Sequence, residues 1–408
     1  MIGEDDSLPK EVGMFPKVLV MGIDLPHYGS AGGILLHRLF RGWPLDSLLC
    51  LGPFLPSGTE ALNCQFHPYE PPFERLAKTR FFRLVRLLRT LKVLPVGRLE
   101  THLPATFKPD VIVHVLSSLG YSEAAYDYSL RSGAPLVLIV HDDPEDFNTS
   151  YSSARHLIRE RFRRIYRHAS RRLCVSPELE DCLHERYGVS GEVMYPNRSE
   201  HTTHRSSQSS ISLKVPGSLT LGYAGGLNYG YGPRLIELAP VLRESGATVR
   251  VYGGSLPVST YSDVLVSRGR ASTPELMWET LKEECDAVLL PYCYANHGHQ
   301  ALYRTHFPSK LPEYLALGMP LLIAGPDYAT GVKWGLKNPN SCIVITARDG
   351  QSWTSELARL RDDSNLRVQL SSNAIQAGNR DFEPKAIRAF FQQALICAAA
   401  ESKNNQLS

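Results

Sequence analysis

SEHTTHRSSQSSISLKVPGS, residues 199–218, is the stretch on which the fold turns. Nine of its twenty residues are Ser or Thr. So polar a segment has too little to bury against the entropy of ordering it, and it reads as a linker or a solvent-exposed loop. On either side of it, short apolar runs alternate with helical patterns. Upstream, the runs fall at 18–23, 45–51, 111–116, 136–140, 173–176 and 192–195. Downstream, they fall at 219–224, 249–252, 264–266, 287–291, 321–324 and 343–346, with helical stretches at 275–284 and 311–317 between them. Apolar runs bounded by turn residues and separated by helices describe buried parallel strands covered on both faces. Two such series joined by a polar linker predict an α/β protein of two Rossmann-like, doubly wound parallel-sheet domains. The boundaries are 1–198 for the first domain, 199–218 for the linker and 219–380 for the second domain. Residues 381–408 form a terminal helix and tail, with Ile387, Phe390, Phe391, Ala394 and Leu395 on one side of the helix.

Composition agrees with that division. A chain of 408 residues exceeds the usual size of a single core. Hydrophobic residues make up 43% and charged residues 21%, the balance of a soluble globular protein. A net charge of +3 does not by itself point to nucleic acid. Eight cysteines are scattered with no Cys-x-x-Cys pair, which disfavours a zinc site or a disulfide framework and fits a reducing cytoplasm. The N-terminal MIGEDDSLPKEVG is acidic and does not read as a secretory signal. The apolar runs are too short to span a bilayer, so the expectation is a cytoplasmic chain whose membrane contact is peripheral, at the inner face.

Ligands of open α/β sheets bind outside the carboxyl ends of the strands, and four loops fall there. Asp24 to Gly33 (DLPHYGSAGG) follows the first run; Gly29, Gly32 and Gly33 let backbone approach a ligand, and the next helix presents free N–H groups to an anion. It reads equally as a tight strand-to-helix turn. His141, Asp142 and Asp143 follow the strongest run. A His-Asp pair there polarises a hydroxyl, or the two aspartates cap a helix. Tyr223 to Gly232 (YAGGLNYGYG) places Gly225, Gly226 and Asn228 after the second domain's first strand, where a phosphate is accommodated. The most informative loop is RTHFPSKLPEYLALGMP, residues 304–320. Pro308 and Ser309 start a helix, Lys310 adds a cation at its positive end, and the Glu313 carboxylate lies one turn inward. Such a tip suits a pyrophosphate, and such a carboxylate suits a pair of ribose hydroxyls.

The order of these segments resembles the GT-B glycosyltransferases, specifically the family 4-like (group 1) bacterial polysaccharide and lipopolysaccharide enzymes. FPSKLPEYLALGMPLLIAGP (307–326), preceded by CDAVLLPY (285–292), carries most of the resemblance. KVLVMGIDLPHYGSAGG, the VHD at 140–142, LCVSPELEDCL (173–183) and YAGGLNYGYG support it. The resemblance implies two domains facing a central cleft and a terminal helix crossing back onto the first. It implies a nucleotide diphosphate sugar as co-substrate, with no separate cofactor, and transfer with retention of configuration. Donor contacts would come from Gly32, Gly33, Gly225, Gly226, Asn228, Arg304, Phe307, Pro308, Ser309, Lys310, Leu311 and Glu313. His141 and Asp142 would serve catalysis, and His27, Tyr28 and Ser30 the acceptor. No metal is called for, since no Asp-x-Asp motif appears. Two departures stand out: Thr305 occupies the place of the family's first glutamate, and the 223–232 loop has Gly226 and no lysine where the family carries arginine and lysine. Arg304, Lys310 and Arg234 are candidates to supply the missing charge.

Two basic stretches remain. Residues 74–95 hold seven Lys or Arg among Leu, Val and Phe, and residues 155–172 hold eight Arg. Both suit an anionic membrane surface, or helices that pack an apolar face on the sheet and leave Arg in solvent. Nucleic acid is disfavoured because no binding module accompanies the charge. The leading expectation is a glycosyltransferase acting on a glycan or lipid-linked acceptor. The alternatives are a nucleotide-sugar epimerase of the same architecture and a catalytically silent relative that acts as a scaffold.

Overall fold

A computed structural model describes residues 15–54, 60–91, 93–95, 97–145, 155–206, 212–254, 256, 261–294 and 300–407. The N-terminal stretch and the middle of the polar linker lie outside these residues.

Each half builds one sheet in which every neighbouring pair is parallel. The first comprises β1 (Val18–Met21), β2 (Leu48–Gly52), β3 (Gln65–Pro68), β4 (Val111–Val115), β5 (Leu136–Val140), β6 (Arg171–Cys174) and β7 (Glu192–Val193), in the order 3-2-1-4-5-6-7. The second comprises β8 (Leu219–Ala224), β9 (Ala247–Tyr252), β10 (Leu265–Gly269), β11 (Ala287–Pro291), β12 (Leu321–Ala324) and β13 (Ile343–Ile345), in the order 10-9-8-11-12-13. Helices cover both faces, so the central strands are buried along their whole length and can be apolar throughout. Winding reverses between β1 and β4 in one sheet and between β8 and β11 in the other, which opens a crevice at the carboxyl ends of those strands. The Asp24 loop leaves β1 and the Tyr223 loop leaves β8. Strand β3 has no counterpart in the apolar pattern: QFHP is an edge strand with no fully buried residue, so it carries no apolar run to read.

The linker does not run free in solvent where it leaves the first domain. Ser199 and Arg205 are buried; Arg205 donates to the Leu317 and Cys285 carbonyls, through its backbone N–H at 2.7 Å and its guanidinium at 2.9 Å. Polar side chains there are packed because they find hydrogen-bond partners, a gain that composition does not show. The terminal helix Pro384–Leu407 lies on the first domain. Phe391 packs edge-on to Phe40 at 5.1 Å, Lys403 pairs with Asp110, and Arg388 with Glu200 of the linker. Ile387, Ala394 and Leu395 are buried with Phe391, but Phe390 faces outward. The helix Arg155–His168 likewise turns Ile158, Phe162, Ile165 and Tyr166 into the core. Among the described residues, no helix is long and apolar enough to cross a membrane.

Candidate active site

The first domain's glycine loop is filled by its own residues. Ser30 caps the helix Ala31–Leu39, its hydroxyl accepting from the Gly33 N–H at 3.0 Å and donating to the Asp24 carboxylate at 2.9 Å. A Cβ on Gly32 would stand 2.4 Å from the Asp24 carboxyl carbon, and one on Gly33 would stand 2.5 Å from the His27 carbonyl. Both glycines are therefore explained by packing within the loop. His27 is buried and accepts from the Gly29 N–H at 2.8 Å, while Tyr28 lies against His37, ring centroids 4.4 Å apart.

The aspartates after β5 divide their work. Asp143 accepts from the Glu145 N–H at 3.0 Å and pairs with Arg186 at 2.7 Å, a local structural role. Asp142 reaches across to the second domain, where His306 Nδ1 donates to it at 2.5 Å. Burial alone would raise the Asp142 pKa, but the His306 hydrogen bond and the two nearby imidazoles outweigh it, and the carboxyl is held below its ordinary value. His141 is held below its ordinary value chiefly by burial, helped by His306 and opposed by Asp142 and Asp24. At neutral pH it is a neutral imidazole, and its Nε2 is buried with no partner in the structure. A neutral ring with a spare nitrogen is equipped to exchange a hydrogen bond with a hydroxyl.

Opposite, the second glycine loop is built around a cation. Gly225 has φ +123°, and a Cβ there would lie 2.4 Å from Lys310 Cε. Lys310 Nζ sits 4.1 Å from the Tyr231 ring centroid and 5.0 Å from that of Tyr223. Desolvation pushes its pKa down to about 8, and among the described residues no carboxylate pairs with it. The loop itself has no lysine; Lys310, arriving from another segment, sets its ammonium over the Tyr231 ring. A Cβ on Gly226 would meet nothing within 4 Å, so the loop is open there. Asn228 serves the turn, its carbonyl accepting from the Tyr231 N–H at 3.3 Å.

The remaining predicted donor residues separate into groups. Ser309 opens the helix Lys310–Ala316 without a side-chain cap and is exposed. Pro308 is buried; Leu311 lies in the core; Phe307 packs on Tyr195 at 5.0 Å and Phe382 at 5.8 Å. Phe307 and Leu311 thus act through packing, because their side chains have no open face. Arg304 is exposed, stacked 4.5 Å over Tyr328. Arg234 is buried against Tyr294 at 4.9 Å and pairs with Glu237 at 3.1 Å. Neither arginine is placed at the Gly225 turn as Lys310 is. Thr305 is buried with its hydroxyl unpartnered, and its carbonyl accepts from Ser176 of the first domain at 3.2 Å.

Glu313 differs most from its expected surroundings. Its carboxylate is buried and engaged: Arg38 pairs with Oε1 at 2.8 Å, the Ser199 N–H donates at 3.2 Å and the Thr202 hydroxyl at 3.3 Å. In this arrangement Glu313 ties the two domains and the linker together, with two donors on Oε1 and the Thr202 hydroxyl on Oε2. Arg38, Asp24 and His306 carry no signal of their own in the sequence. His306 alone could have been found, as the ionisable residue beside Thr305.

Two doubly wound parallel sheets facing one another, with a terminal helix returning to the first, define the GT-B class. The family model for Glycosyltransferase Family 4 matches residues 52–196, most of the first domain. No curated protein matches the sequence. Among solved structures, Anabaena HepE in complex with UDP and glucose is similar at 15% identity and a TM-score of 0.62, over 93% of this chain and 99% of that one. Sucrose-phosphate synthase from Thermosynechococcus elongatus is similar at 12% identity and 0.64, over 94% and 99%. The lipopolysaccharide outer core galactosyltransferase WaaB in its apo form is similar at 13% and 0.59, over 95% and 99%. The chain thus shares the two-domain fold of these glycosyltransferases, and its residues 52–196 match the family 4 model.

Proposed function

We propose that this protein moves a sugar from a nucleotide diphosphate donor to a glycan or lipid-linked acceptor, with retention at the anomeric carbon and without a metal. The observation that carries the reading is Lys310: a desolvated ammonium at a glycine turn with no carboxylate beside it. A partly desolvated cation with no carboxylate beside it favours an anion, and the diphosphate of the proposed donor would supply one. That HepE is seen with UDP and glucose agrees with this choice of ligand class.

In the proposed reaction the donor's C–O bond to the diphosphate breaks while the acceptor oxygen bonds to the same face of the anomeric carbon and passes its proton to the departing phosphate oxygen. The departing negative charge falls on the Lys310 side. His141, neutral and with Nε2 unengaged, exchanges a hydrogen bond with a sugar hydroxyl near the reacting carbon. Asp142, braced by His306, keeps that imidazole in a negative field. His27, Tyr28 and Ser30 border the acceptor side. Rate comes from positioning and from leaving-group stabilisation, since no strongly basic group is needed. The ribose role of Glu313 requires the seam to open first, because its partners must exchange for the ligand.

Calorimetric titration with UDP-, GDP- and ADP-sugars tests the reading. One class should bind, and donor hydrolysis should appear in a sensitive assay without acceptor. Absence of binding across the panel would overturn it. A product with an inverted sugar centre and no transfer would instead establish an epimerase.

A further inference from the structure

The helix Phe82–Thr90 in the first of the two basic stretches presents two unlike faces. Inward, Val85 is buried and Arg89 pairs with Glu74 at 2.6 Å. Outward, Phe81, Leu84 and Leu91 follow one another at helical spacing, and they are 46%, 51% and 51% exposed. Val93, just beyond the helix, is 62% exposed. Arginines rim this stripe: Arg80 lies 5.0 Å from the Phe81 ring centroid and Arg83 5.6 Å from that of Phe82. Neither Arg80 nor Arg83 has a carboxylate partner among the described residues, whereas Arg75 and Lys78 are neutralised by Glu70.

The second basic stretch lacks this combination. The helix Arg155–His168 buries its apolar side, and Arg159, Arg161 and Arg163 pair with Glu145, Glu123 and Glu160. Three of its six arginines pair in this way, and Leu157 alone of its large apolar residues is exposed, so no apolar stripe lies beside the rest.

We propose that the Phe82–Thr90 helix docks the first domain on an anionic lipid bilayer. Phe81, Leu84 and Leu91 enter the boundary between headgroups and acyl chains, while Arg80 and Arg83 rest on lipid phosphates. An exposed apolar stripe with an unneutralised cationic rim needs a partner that is apolar within and negative at its edge, and an anionic bilayer offers both over any length of helix. The docking deepens the reading of a lipid-linked acceptor but is measured without donor or acceptor, so either can fail alone.

Sedimentation of the full chain with vesicles of phosphatidylcholine alone, and with phosphatidylglycerol added, tests the proposal. Binding should rise about tenfold or more with the anionic lipid and fall as salt is added. Phe81→Ser with Leu84→Ser and Leu91→Ser should abolish it. Arg80→Glu with Arg83→Glu should remove the preference for anionic lipid, and it remains informative if the triple variant fails to fold. Arg164→Glu with Arg167→Glu, on the other helix, should leave binding within about twofold. Equal binding by the first two variants, or no binding of the wild type to anionic vesicles at low salt, would overturn the proposal. So would a wild-type dimer that the triple variant converts to monomer, because a second copy would then cover the stripe.

Discussion

The two glycine loops stand at corresponding places, each leaving the first strand of its domain at a point where the winding reverses, yet they hold opposite charges. Around Gly32 the nearest group is the Asp24 carboxylate; around Gly225 it is the Lys310 side chain. The first loop is satisfied from within, by a serine cap and a buried imidazole. Among the described residues the second keeps a cation with no carboxylate partner, and it stays open at Gly226. Glycine thus marks close approach in both loops, but only the partner decides whether the approach is made by protein or awaits a ligand. The proposed function reads this asymmetry as an anionic donor at the second domain and an acceptor at the first.

The sharpest way to break this comparison is Lys310→Met. Donor binding should weaken by about a hundredfold, the scale of one desolvated charge-assisted contact. The melting temperature should hold or rise, because a partly desolvated, unpaired cation is lost. A variant that binds donor normally would show that the second loop's charge is not the donor's counter-ion.

Glycine replacements sharpen it further. Gly225→Ala meets Lys310 at 2.4 Å in a backbone region that only glycine adopts freely, and it should cost roughly 1–3 kcal/mol in denaturant unfolding together with donor affinity. Gly32→Ala, crowded by Asp24, should lose stability but keep donor affinity. Gly226→Ala faces open space and should change stability by less than about 0.5 kcal/mol, so any effect it has falls on the ligand.

A smaller, graded effect follows from pH. The Lys310 pKa is lowered in the folded chain to about 8, so the ammonium is intact below that pH and is lost above it. Donor affinity should be level up to about pH 8 and then fall by about tenfold per unit, while the fold gains stability as the buried charge disappears. A flat affinity profile to pH 10, measured by titration with enzyme stability followed in parallel, would contradict the assignment.

The Glu313 seam provides the mildest probe. Arg38→Ala leaves a buried carboxylate short of its cation and should destabilise the chain by roughly 2 kcal/mol. Donor affinity should then rise or stay constant, since Glu313 is released from the first domain.

Much of this was readable because buried parallel strands are apolar from end to end. LVLIV, LTLGYA, AVLLP and LLIA begin and end where the runs do. Strand β3 escaped because an edge strand need not be apolar. Part of the linker packs for the reverse reason: Ser199, Thr202 and Arg205 are polar residues whose partners come from 80 or more positions away. Lys310 and Glu313 were both singled out as neighbours on one helix tip, yet they face different surroundings, Lys310 the glycine turn and Glu313 the domain seam. Spacing along a helix tells which residues share a face, not what lies opposite.

By itself, then, the sequence determined two doubly wound sheets, the loops at their carboxyl ends and the residue types available there. Periodicity and turn residues are local properties, and the burial they report is an average over many side chains. The tertiary structure alone decided which charges meet: Asp142 with His306, Glu313 with Arg38, and Lys310, among the described residues, with aromatic rings and no carboxylate. Each of those pairings joins segments far apart in the chain. Electrostatic energy depends on distance and on lost solvent, neither of which is written in the order of residues.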